Sequence, residues 1–106
     1  MATFKNLTFV EYRDHYFQQT THTLVDVRTR GEYMQGHVPG AVNIPLDQLQ
    51  ERTDEIASDR PVVVICATGN RSQTGAKIFK QAGYSEVYNL QGGTMVWMMN
   101  GKSLEY

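Results

Sequence analysis

The 106-residue chain is long enough for one hydrophobic core and too short for two, so it reads as one domain over residues 1–106. Apolar residues make up 41% and charged residues 20%, a globular balance that excludes a disordered chain. A formal net charge of -1 and a pI near 6.3 leave no basic stripe for a nucleic-acid backbone, and no apolar run approaches the roughly 20 residues that a bilayer span needs.

Met1 to Asn6 carries no charged-then-apolar leader pattern, so a cytoplasmic protein is expected. Thr8 and Glu11 form a capping-box pair, and Phe9, Val10, Tyr12 and Tyr16 continue it as a helix to about Gln18. Thr23 to Val27 is a short β-rich run. Arg30 to Gln35 is one or two helical turns, stopped by Gly36, and His37-Val38-Pro39-Gly40 is a turn. Ala41 to Ile44 reads as a strand, and Pro45 to about Ala57 as a helix with Leu46, Leu49 and Ile56 inward. Pro61 to Ile65 is the clearest strand, continuously apolar and β-branched as a strand covered on both faces should be. A polar loop leads from it into a helix from about Ser72 to Gln81, with Gly83 as its C′ residue. Glu86 to Leu90 is a further strand, Gly92-Gly93 opens a short helix to about Met99, and Gly101 to Tyr106 has no clear assignment. Strands alternating with helices at this spacing predict an α/β fold with a mainly parallel sheet.

The one cysteine, Cys66, stands at the carboxyl end of the most apolar strand, where such sheets bind ligands. A lone cysteine excludes an internal disulfide framework and a multi-thiolate metal or iron–sulfur site. No metal site or cofactor is therefore expected, and any resolving thiol must come from another molecule.

Cys66-Ala67-Thr68-Gly69-Asn70-Arg71-Ser72 has the makings of an anion cradle. A tight loop turns successive amide N–H groups inward, the following helix adds its unsatisfied N–H groups, Gly69 permits an otherwise resisted backbone conformation, and Arg71 adds positive charge. Each stabilises a thiolate, so the Cys66 pKa is expected below the free value of about 8.5. Set against this, a free cysteine is most often a small buried hydrophobe. Ser72 also suits an N-cap, and Arg71 a solvated surface position.

Cys66-x-x-Gly69-x-Arg71-Ser72 resembles the active-site loop of the rhodanese-like sulfurtransferases. Asp26-Val27-Arg28, Glu32-Tyr33 and Gly36-His37-Val38-Pro39-Gly40-Ala41-Val42-Asn43-Ile44-Pro45 resemble that family's N-terminal signature. Leu90-Gln91-Gly92-Gly93 with Trp97 resembles its C-terminal one. The resemblance implies a parallel sheet of about five strands with helices on both faces. It also implies a ping-pong cycle in which Cys66 takes sulfane sulfur from thiosulfate or a persulfide and passes it to cyanide, a thiol or a sulfur-carrier protein. Ala67, Thr68, Gly69, Asn70, Arg71 and Ser72 then hold the transferred sulfur. Two other readings stand beside it, a non-catalytic interaction module and a phosphatase or arsenate reductase of the same fold. The latter use a loop one residue longer, wide enough for a tetrahedral oxyanion, and no Asp lies inside this loop to serve as their general acid.

Arg28 is a candidate for guiding an anionic donor, although its spacing from Glu32 favours an ion pair across one turn. Asp26 suits bonds to amides of the next turn, and His37 a hydrogen bond within its own turn. His15 and His22 have no partner at metal-ligand spacing. Met95, Val96, Trp97, Met98 and Met99 are more apolar residues than one helix face can bury, leaving some for a docking patch or a weak dimer contact.

Overall fold

The computed structural model describes residues 3–106; Met1 and Ala2, the start of the segment read for a leader pattern, lie outside them. Five strands, β1 (Lys5–Leu7), β2 (Thr23–Asp26), β3 (Val42–Asn43), β4 (Val62–Ile65) and β5 (Val87–Leu90), form one sheet in the order β1-β5-β4-β2-β3. Every pairing is parallel, with Val25 opposite Val64 and Val64 opposite Asn89 across the centre. The helices are α1 (Phe9–His15), α2 (Arg30–Met34), α3 (Leu46–Arg52), α4 (Arg71–Gln81) and α5 (Gly93–Met99). The expected α/β architecture is therefore present. No helix among the described residues is long and apolar enough to cross a membrane.

Residue alternation along the sheet builds two cores. Val25, Val62 and Val64 pack with Leu49 of α3 and with Ala76 and Phe79 of α4. Leu24, Val63 and Ile65 face the other way, onto Phe9 and Tyr12 of α1 and Trp97 of α5. All four residues of β4 are fully buried, which accounts for its unbroken apolar run. Burial of side chains this size stabilises by about 1.5–3 kcal/mol each before entropy is counted. Cys66 continues the alternation, so its side chain leaves β4 on the α3/α4 side.

Several boundaries differ from the sequence expectation. β1 is unanticipated: of its three residues only Leu7 is buried, and pairing to β5 makes it a strand. α1 keeps its capping box but ends at His15; the chain turns through Gln18 at φ 59, and Phe17 packs edge-on to Trp97. The segment after Pro45 is two pieces, α3 and a 3-10 turn at Thr53–Glu55. The Tyr84 hydroxyl, close to the carbonyls of Thr53 and Ile56, holds that turn. The tail also acquires structure, as His37 and Glu105 form an antiparallel bridge.

Candidate active site

Cys66 is 1% exposed and sits at the centre of a small polar network. The Gly69 amide donates to its sulfur at 3.1 Å, and Gly69 reaches that position at φ +99. The Cys66 thiol lies 3.3 Å from the Ser72 hydroxyl. That hydroxyl donates in turn to Asn89 Oδ1 of β5, and Asn89 Nδ2 donates to Asn6 Oδ1 of β1 at 3.0 Å. Ser72 carries a single proton, which goes to Asn89 while the Cys66 thiol donates to Ser72 Oγ and is free to turn to the sulfur once Cys66 is a thiolate. Burial pushes the Cys66 thiol up. Hydrogen bonds from the Ser72 hydroxyl and from the amides of Ser72, Gly69 and Thr68 outweigh it and leave the pKa below the ordinary value.

The loop is clamped from behind by α5. Thr94 N and Oγ1 donate to the Cys66 carbonyl at 2.9 and 3.1 Å, and Met95 N donates to the Ala67 carbonyl at 3.0 Å. With these carbonyls turned toward α5, the loop amides are left to face the sulfur. Gly93 makes the approach possible at φ +57, since a β-carbon there would stand 2.3 Å from the Cys66 carbonyl oxygen. The Gly92-Gly93 pair thus backs the loop as well as opening the helix.

Of the remaining loop residues, Ala67 is half-buried, while Thr68 and Asn70 are exposed. Asn70, not Ser72, occupies the cap position of α4, and its side chain makes no capping bond. Ser72 lies inside the first turn, fully buried, which corrects the N-cap reading: its hydroxyl is directed at Cys66 and Asn89.

Arg28 does not take the partner expected for it, and Arg71 takes that partner instead. The Arg28–Glu32 pair does not form. Arg28 instead grips Asp26 through Nε and Nη2, with Nη2–Oδ2 at 2.8 Å, and also donates to the Gly36 carbonyl. The pair is buried, so the steering role is corrected with the partner: a guanidinium matched at contact by a carboxylate presents no free charge to an anion. Asp26 also accepts from the Arg28 amide at 3.0 Å, the turn contact expected of it. Glu32 belongs to Arg71, whose Nη1 and Nη2 donate to its two carboxylate oxygens at 2.7 and 2.8 Å. Arg71 therefore binds α4 to α2, and it holds the Glu32 carboxyl down at about 2.

Sequence reasoning missed Glu32, Asn89, Asn6 and Thr94 as parts of the site. The His37 side chain bonds back to α2 and not within its own turn, with Nδ1 2.9 Å from the Tyr33 carbonyl. On α5, Trp97 is buried while Met95, Met98 and Met99 are exposed. Among the described residues no group of three or more His, Cys, Asp or Glu is placed to hold a metal.

Residues 8–100 match the Rhodanese-like domain family. A sulfurtransferase from Allochromatium vinosum is 41% identical over 78 residues, covering 74% of this chain and 73% of that protein. The thiosulfate sulfurtransferase GlpE of Shewanella oneidensis is 32% identical over 97 residues, covering 92% of this chain and 95% of that protein. A crystal structure of a rhodanese-related protein from Thermoplasma volcanium aligns with a TM-score of 0.85 at 26% identity, covering 96% of this chain and 98% of that one.

Proposed function

This chain belongs to the rhodanese-like domain family, and from that premise we propose that it is a sulfurtransferase in which Cys66 carries sulfane sulfur as a persulfide. The observation that carries the reading is a strand-end thiol ringed by amides and a hydroxyl that favour its anion. The Cys66 thiolate attacks the outer sulfur of a persulfide, R–S–SH. A Cys66 S–S bond forms, the donor S–S bond breaks, and R–S⁻ departs with the electron pair. With thiosulfate the leaving group is sulfite. The new outer sulfur extends into the loop, where the amides of Thr68, Gly69 and Ser72 accommodate its charge. An acceptor thiolate or cyanide then attacks that sulfur, and the Cys66 thiolate leaves unchanged.

Residues 1–106 act as one domain in this reading. The thiol and thiosulfate chemistry involves small donors and acceptors or a sulfur-carrier protein. A free thiol with this duty suits a reducing compartment such as the cytoplasm. Intact mass after incubation with thiosulfate or polysulfide provides the test. The expected result is a gain of one sulfur, removed by cyanide and absent in Cys66→Ser. No gain with either donor, or turnover of an aryl phosphate in its place, would overturn it.

A further inference from the structure

Beside the loop lies a recess of about 340 Å³, lined by Val27, Thr29, Pro45, Leu46, Asp47 and Arg71. Val27, Pro45 and Leu46 give it an apolar wall. Arg71 is the basic group in that lining, and both of its Nη atoms are already engaged by Glu32. Asp47 is exposed in the first turn of α3 and takes part in none of the ion pairs among the described residues. The other arginine considered for the site, Arg28, is buried against Asp26. Arg71, which ends the Cys66 loop, also lines this recess, so beside the loop two carboxylates, Asp47 in the lining and Glu32 bound to Arg71, stand against one guanidinium.

We propose that Glu32 and Asp47 are specificity-determining residues that turn the recess against anionic sulfur partners and favour a thiol or persulfide on an uncharged or positively charged carrier. The inference rests on Cys66 acting as the sulfur carrier and adds the class of partner to it. Glu32 occupies the donors with which Arg71 would otherwise grip an oxyanion, and Asp47 adds unpaired negative charge at the rim. The apolar wall accepts the carbon chain of the partner. Transfer itself is unchanged: the partner thiolate attacks the outer sulfur of the Cys66 persulfide and the Cys66 thiolate departs.

The test loads Cys66 with excess polysulfide, removes the donor, and follows loss of the sulfur by mass. Three short thiols serve as probes: cysteamine (cationic), 2-mercaptoethanol (neutral) and 3-mercaptopropionate (anionic), each compared per thiolate present. In Asp47→Asn the cysteamine-to-mercaptopropionate rate ratio is expected to fall about fivefold from wild type, and high salt should shrink the wild-type ratio similarly. In Glu32→Gln, which keeps a side chain suited to the capping box, loading by thiosulfate should quicken about fivefold as Arg71 is released. A protein that loads normally but shows the same ratio in both variants, with no gain for thiosulfate in Glu32→Gln, overturns the selectivity alone. Failure to load Cys66 at all overturns the carrier reading and this inference with it.

Discussion

The inner wall and the outer mouth of the Cys66 site work by different physics. The inner wall is neutral and buried: the Gly69 amide, the Ser72 hydroxyl and Asn89 behind it. The mouth is charged and partly exposed, with Arg71 and Glu32 side chains 39% and 34% accessible. Fixed dipoles in a water-poor pocket act at full strength on the sulfur, whereas solvent and a contact counter-ion mute the Arg71 charge. The comparison assigns thiolate stability to the wall and choice of partner to the mouth. It also ranks Arg71 behind the wall in its effect on the thiol, because the guanidinium is bound at contact to Glu32.

The largest break in this division should come from Gly93→Ala. The added β-carbon meets the Cys66 and Ala67 carbonyl oxygens at 2.3 and 2.8 Å on backbone at φ +57. A loss of about 2 kcal/mol or more in denaturant stability is expected, together with the low Cys66 pKa. Unchanged stability would mean that α5 does not press on the loop. Ser72→Ala comes next. It should raise the Cys66 pKa and slow alkylation at neutral pH about tenfold, since a hydrogen bond to a charged group is lost. It also leaves Asn89 Oδ1 without its donor, so a circular-dichroism melt should accompany the kinetics.

Arg71→Ala should have a smaller effect on the thiol, about twofold in alkylation rate. A tenfold slowing would move thiolate control out to the mouth. The smallest effect concerns acid titration. Because the Glu32 pKa is depressed, its tie to Arg71 contributes stability above the ordinary glutamate range and loses it as pH falls toward about 2. Carboxyl chemical shifts against pH measure this directly, and a midpoint at the ordinary value of about 4.3 would show an open mouth.

The sequence carried the parts of the site that are contiguous. The apolar run before Cys66, the glycine in its loop and the helix after it are each local signals, and together they placed the thiol at the sheet edge. Contacts between distant segments were illegible. Arg71 and Glu32 stand 39 positions apart, and four-residue spacing made Arg28 the nearer candidate for Glu32. That spacing rule presumes both residues lie on one helix, yet α2 starts at Arg30, leaving Arg28 outside it beside Asp26. Asn89 looked like an ordinary strand residue until β5 set it behind Ser72. β1 left no pattern because two of its three residues face solvent. The five-strand parallel sheet was legible through the family resemblance, while periodicity alone named four of its strands.

Thiolate formation inside the neutral wall is the step on which the proposed loading of sulfur depends. Its most direct measurement is the rate of Cys66 alkylation across pH, with Cys66→Ser as the blank. The account predicts a midpoint below that of free cysteine, about 8.5, moved upward by Ser72→Ala and little changed by Arg71→Ala. A wild-type midpoint at or above the free value would contradict it.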